Sequence, residues 1–287
     1  MVLEIKNGYT VGILGSGTMG TAVLSGMVRA KSAGDISEGA IVPDRFLAAV
    51  TRDASGERLK GEFGSKVEIL VKKNQELVDQ SDIIILGSKP YMAAKILEGI
   101  PAESFKNKVL VSLLAGKTID DLTALTGGNA IVARAMTNTA SKYGQGMTVV
   151  SFPEKGVADS VQNAVDWIFQ NIGRCLILEE KHQDVATALC GSGIAFSFLA
   201  LEAMMDGALR MGMPVNVAQE CAAQVLKGAG EMVLQEGQHP AAIKSKVCTP
   251  AGTTIGGLLK LEDDGVRGSF ARAVEESTNI ATALGKK

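Results

Sequence analysis

Residues 11–20 read Val-Gly-Ile-Leu-Gly-Ser-Gly-Thr-Met-Gly. A short apolar run suits a buried strand, and Gly15-x-Gly17-x-x-Gly20 follows it at once. The residues after Gly17 suit a helix with small side chains on one face. Strand, glycine turn and helix in this order are the context in which the pattern reads as a dinucleotide-binding fingerprint. Gly15 permits the tight turn, Gly17 leaves room for a pyrophosphate against the backbone, and Gly20 lets the helix pack close to the strand. The helix start, from Ser16 through Thr18 and Met19, offers bare N–H groups and a positive dipole end to the phosphates. A glycine turn without a nucleotide is the plainer alternative.

The first half of the chain keeps the rhythm that this motif starts. Apolar strand candidates at 11–14, 47–51, 67–69, 83–86, 109–114, 130–135 and 147–150 alternate with helical stretches at 18–30, 55–62, 74–80, 93–99 and 118–125. That alternation predicts a doubly wound, parallel sheet of the Rossmann type. Residues 31–45 form a longer polar connection than such a unit needs. Past about residue 180 the strand signals fade. Helices are expected over 181–211, interrupted near Gly191-Ser192-Gly193, over 215–237 behind Pro214, and over 265–284. The fold class is therefore α/β, with a dinucleotide-binding domain over 1–178 and an all-α domain over 179–287. Residues 194–213 are apolar on nearly every side, the mark of a helix buried all round. In so small a helical domain that burial calls for a second subunit.

Composition removes several function classes. Of 287 residues, 46% are hydrophobic and 21% charged, enough for a packed core. A net charge of −2 argues against nucleic-acid or membrane-surface binding by bulk electrostatics. The apolar runs look too short to span a bilayer. The N-terminus runs straight into the first strand, so no targeting segment is expected, which points to the cytoplasm. Cys175, Cys190, Cys221 and Cys248 lack paired spacing and suit a reducing compartment. With only His182 and His239 available, neither a histidine metal site nor a triad is expected. The chemistry must come mostly from a cofactor.

Ligands of such sheets lie beyond the carboxyl ends of the strands. The second strand ends in Thr51-Arg52-Asp53, with Ser55 close behind. An acid there would bind the ribose 2′-OH of NAD, whereas arginine accommodates the 2′-phosphate of NADP. Both signals are present. Hydroxyl and guanidinium together favour NADP(H), with NAD(H) as a second choice. The same rule places Ser88, Lys89 and Pro90, Ala115 and Gly116, and Asn138 beside the cofactor. The Asn138 amide could hold the nicotinamide end or bond its own backbone. In the second half, the stretch from Cys248 to Gly257 is rich in glycine and hydroxyls. Its Pro-Ala-Gly turn at a helix start suits a carboxylate, and Thr253 and Thr254 add hydroxyls.

Taken together, these segments resemble pyrroline-5-carboxylate reductases. The resemblance covers nearly the whole chain. Its most specific part is Lys246-Val-Cys-Thr-Pro-Ala-Gly-Thr-Thr-Ile-Gly-Gly-Leu. Residues 11–20, Gly87-Ser-Lys-Pro90, Ala135-Met-Thr-Asn-Thr139, Leu189-Cys-Gly-Ser-Gly193 and His239-Pro240 support it. It implies reduction of the cyclic imine L-1-pyrroline-5-carboxylate to L-proline by NAD(P)H, the last step of proline synthesis. It implies a homodimer or larger assembly of dimers, with the active site between the domains. Thr254 then matches the threonine that bonds the ring nitrogen, and the backbone of Ala251, Gly252 and Thr253 would hold the carboxylate. Ile194, Phe196, Thr137 and Ala140 depart from the usual pattern, where proline or tyrosine is common. Two other readings remain open. A 3-hydroxyacid dehydrogenase of similar build would need a lysine base, and Lys181, Lys227, Lys244 and Lys246 lack a convincing setting. A non-catalytic NADP sensor would not need the second anion site at 249–254.

Overall fold

A computed structural model describes residues 3–34 and 39–285. The chain divides into two compact units, residues 1–191 with 277–287, and residues 192–276.

The first unit is built on one eight-stranded sheet. In chain order its strands are β1 (Tyr9–Leu14), β2 (Pro43–Val50), β3 (Glu68–Val71), β4 (Ile83–Leu86), β5 (Lys108–Ser112), β6 (Ala130–Met136), β7 (Gly146–Ser151) and β8 (Gly173–Ile177). The spatial order is β3-β2-β1-β4-β5-β6-β7-β8. β1 to β6 are all parallel, β7 is antiparallel to β6, and β8 follows β7. The order reverses between β1 and β4, where Leu14 pairs with Leu86. Such a switch point opens a crevice at the carboxyl ends of the strands.

Both faces of the sheet are covered, which is why its central strands read as unbroken apolar runs. Along β4, Ile83 and Ile85 enter one core, and Ile84 and Leu86 enter the other. The first core holds α1 (Thr18–Ala33), α2 (Asp53–Phe63) and α6 (Asp159–Gln170). The second holds α3 (Asn74–Gln80), α4 (Ala93–Glu98) and α5 (Ile119–Leu125). A capping box starts α5: Thr118 Oγ1 accepts from the Asp121 N–H, and Asp121 Oδ2 accepts from the Thr118 N–H, both at 3.0 Å. These bonds hold the Asp121 carboxyl below its ordinary range. α1 runs to Ala33 and β2 starts at Pro43, so the connection is shorter than expected; residues 35–38 of it lie outside the described residues. β8 and α6 are additions to the expected element set.

Compact packing carries the first unit past the expected 178/179 boundary to residue 191. The cause is Gln183, which is buried and donates through Nε2 to Val149 O at 3.1 Å and Ser151 Oγ at 2.9 Å. That bonding ties α7 (Gln183–Ala186) to the sheet. A π-helical turn, Thr187–Ser192, then leads into α8 (Gly193–Arg210). This turn is the interruption expected near the Gly-Ser-Gly segment.

The second unit adds α9 (Val215–Glu236), α10 (Pro240–Val247) and α11 (Thr253–Asp263). α12 (Val266–Gly285) closes the chain, and its last turns belong to the first unit. α8 packs against α9. Only Ala218, Ala222 and Ile243 of the second unit are buried. No residue of α8 is, and Phe198 and Leu199 are 64% and 65% exposed. The all-round burial expected for 194–213 is therefore not supplied by the single chain. The run Glu180–Arg210 is also long and apolar enough, by length and composition, to cross a membrane, which corrects the expectation that no apolar stretch was long enough.

Candidate active site

A cleft of about 430 Å³ lies at the carboxyl ends of β1, β2 and β4. Gly15, Ser16, Gly17, Thr18 and Met19 form one wall, Thr51, Arg52 and Ser55 a second, and Gly87, Ser88 and Lys89 a third. Gly15 has φ +92°, and a Cβ on it would sit 2.8 Å from the Ser88 nitrogen. Only glycine closes that turn. A Cβ on Gly20 would lie 2.6 Å from the Gly15 carbonyl oxygen, so Gly20 sits under the turn and not in the cleft wall. A Cβ on Gly17 would meet nothing nearer than the Gly87 carbonyl oxygen at 4.0 Å. Nothing within the chain demands a glycine there; the open side leaves room for a ligand against the backbone.

Electrostatics make the cleft a site for an anion. Its charged lining residues are Arg52 and Lys89, and among the described residues no carboxylate lines it. α1 starts at an uncapped Gly17 with no acid in its first turn. Its first N–H groups thus have no side-chain acceptor. The first return bond is from the Thr21 N–H to the Gly17 carbonyl at 2.9 Å. Ser16 Oγ is buried without a hydrogen-bond partner among the described residues. An orphaned hydroxyl beside free helix N–H groups fits a bound phosphate. Arg52 occupies the N-cap of α2 and is exposed to the cleft, whereas Asp53 is outside the lining. The residue set fits a ribose phosphate better than a bare ribose hydroxyl.

The lining of this cleft does not include Pro90, Ala115, Gly116 or Asn138. Pro90 is not in the wall; it starts a 3₁₀ turn that brings Met92 there. Ala115 and Gly116 are also outside the wall. Asn138 bonds within the fold: its Oδ1 accepts from the Ala140 N–H at 3.1 Å and one Nδ2–H donates to Cys190 O at 3.0 Å. These bonds fasten its turn to the π-helical segment. Asn74, Met92, Ile96 and Leu113 complete the cleft. Asn74, the first residue of α3, follows β3 closely and was findable by the strand-end rule.

The second candidate region is the turn before α11. Gly252 N–H donates to Thr249 O at 3.0 Å, and Ala251 has φ +57°. With Pro250 at the second position, this is a type II turn carrying alanine where glycine is preferred. A Cβ on Gly252 would fall 2.4 Å from Thr249 Oγ1, so that position tolerates nothing larger. The turn delivers Gly252 as N-cap of α11, and Thr253 and Thr254 as its first exposed residues. α11 has neither a side-chain cap nor an acid in its first turn. This is a second anion-accepting helix end with two hydroxyls beside it. Ala251→Gly is expected to raise the unfolding free energy by about 0.5–1 kcal/mol, measured by denaturant titration, because relief of the left-handed strain outweighs glycine's entropy.

Reactive side chains are scarce. Burial pushes the Cys190 thiol upward, away from thiolate character. Lys181, Lys244 and Lys246 form surface ion pairs with Glu179, Glu262 and Glu236. All three side chains are exposed to solvent.

Comparison with known proteins decides the family. The chain is 42% identical to pyrroline-5-carboxylate reductase of Schizosaccharomyces pombe over 96% of this chain and 98% of that protein. The chain belongs to the pyrroline-5-carboxylate reductase family. The Kluyveromyces lactis enzyme of the same name is 40% identical over 97% of this chain and 99% of its own. The family model described as pyrroline-5-carboxylate reductase dimerisation matches residues 180–284. One described as NADP oxidoreductase, coenzyme F420-dependent, matches residues 10–116. The Plasmodium falciparum pyrroline carboxylate reductase, solved with NADP bound, superposes with a TM-score of 0.80 at 25% identity, covering 98% of this chain and 99% of that one. The Coxiella burnetii reductase shares the fold with a TM-score of 0.86 at 24% identity, covering 98% and 100%. The family's oxidoreductase fold accounts for both the glycine-rich cleft and the helical second unit.

Proposed function

We propose that this protein reduces L-1-pyrroline-5-carboxylate to L-proline with NADPH, the last step of proline biosynthesis. The observation that carries the reading is kinship over 96% of the chain with enzymes named for that reaction. When bound, NADPH supplies the hydride. The chain's own residues hold and orient. Ser16, Gly17, Thr18 and Met19 take the pyrophosphate, and Thr51, Arg52 and Ser55 take the 2′-phosphate. The N–H groups at the start of α11 hold the substrate carboxylate, with Ala251, Gly252 and Thr253 shaping the turn. The Thr254 hydroxyl serves the ring nitrogen: it can accept from an iminium N–H and donate to the amine formed. An imine is already electrophilic, so placement is the main demand, and orientation alone can lower such a barrier by about 7 kcal/mol.

The assembly is a homodimer or a larger assembly of dimers. A second unit with three buried residues and an uncovered α8 supports this. The four free cysteines suit a reducing cytoplasm. Sedimentation at micromolar concentration is expected to give a mass of two or more chains; a lone monomer would refute the assembly. The activity is tested by NADPH oxidation with pyrroline-5-carboxylate, repeated with NADH. Absence of turnover with either cofactor, by protein that binds NADPH, would refute the reaction.

A further inference from the structure

We propose that the last turn of α12 is a positioning element of the cofactor site, acting through the loop after β5. Leu113 of that loop lines the cleft, and the loop stands on the β4–β5–β6 side of the switch point. In a doubly wound sheet this side receives the second half of a dinucleotide. Gly116 lies in the loop with φ +73°. A Cβ on it would be 3.2 Å from the Leu284 carbonyl carbon and 3.3 Å from the Gly285 nitrogen. The end of α12 thus lies directly against the loop backbone.

A polar network fixes that contact. Thr282 Oγ1 donates to Asp184 Oδ2 at 2.9 Å. Asp184 Oδ1 faces Arg134 Nη2 at 3.7 Å, and Arg134 Nη1 donates to Glu180 Oε1 at 2.9 Å. The same Glu180 oxygen accepts the Ile119 N–H, the first donor of α5, at 2.8 Å. The network therefore grips the loop at two places, Gly116 through the C-terminal turn and Ile119 through Glu180. Arg134 is buried. A buried guanidinium shared by two carboxylates contributes little net stability, since desolvation offsets the attraction. What it supplies is a fixed geometry. Its members are distant in sequence and all belong to the first unit.

The proposal rests on the reading of the cleft as the NADPH site. In the full-length protein, Thr282→Val removes the hydroxyl and keeps the shape. It is expected to raise the Michaelis constant for NADPH about threefold to tenfold. The kcat is expected to change less, and melting temperature and assembly to stay those of the parent. Thr282→Ser is expected to restore the parent value. Asp184→Asn keeps an acceptor for Thr282 but removes the charge facing Arg134, and the same constant is expected to rise. If Thr282→Val lowers the melting temperature, Asp184→Asn and hydrogen exchange of residues 115–119, expected to be faster, carry the test. Parent kinetics in both variants, or failure of folded Thr282→Ser to recover, overturns the proposal. Failure of the unaltered protein to bind NADPH would instead overturn the cofactor reading.

Discussion

Arg52→Ala is expected to raise the Michaelis constant for NADPH about 10- to 100-fold while changing that for NADH less than about twofold. The guanidinium stands at the N-cap of α2 in the cleft wall, beside Thr51 and Ser55. A charge-assisted bond from such a group to a phosphate contributes about 1.5–3 kcal/mol, and each 1.4 kcal/mol is about a tenfold change. Because Arg52 is exposed, salt will screen part of this, and the lower end applies at high ionic strength. Thr51, Ser55 and the α2 helix end keep some phosphate affinity in the variant. NADH lacks the phosphate and should not sense the loss. Steady-state kinetics with both cofactors checks it. Equal losses for the two would mean that Arg52 is an ordinary surface charge.

Much of the first unit was legible because its signals are local. β4 and α3 fall at the expected residues, since an unbroken run of four apolar residues and a seven-residue helix bounded by polar ends leave little choice. The glycines of the phosphate turn were legible for the same reason. α6 is missing from the expected elements although its pattern is readable: Val161, Ala164, Val165, Ile168 and Phe169 are buried at the helical repeat. β8 is not readable. It is an edge strand whose Arg174, Leu176 and Ile177 are exposed, so no apolar alternation marks it.

Distant partners account for what local pattern does not show. Asn138 sits at a strand end, and its Nδ2 donates to the carbonyl of Cys190, 52 residues away. Gln183 binds β7 through its side chain, a tie between α7 and the sheet that no local pattern reveals. The apolar helix 194–213 was recognised as needing cover on every side, yet the cover is absent from the single chain. Periodicity states what must be buried but not by which chain. A hydroxyl on an exposed turn likewise reads as a cap until its surroundings are known, and this is the position of Thr254.

Thr254→Ala is expected to lower kcat/KM for pyrroline-5-carboxylate about 10- to 100-fold and to leave NADPH affinity within about twofold of the parent. Thr254 is exposed in the first turn of α11, and no side chain caps that helix end. Removing the hydroxyl should therefore cost little stability, and any loss of turnover reports on substrate. The carboxylate is held by backbone N–H groups, which the substitution leaves in place, so ground-state binding should fall less than turnover. Thr254→Ser keeps the hydroxyl and should recover most of the rate. The hydroxyl's partner changes from an N–H that donates to a lone pair that accepts as the imine becomes an amine, so its contribution is expected to grow towards the transition state. Parent kcat/KM in a folded, NADPH-binding Thr254→Ala protein would remove Thr254 from the mechanism and leave the α11 backbone as the sole substrate anchor.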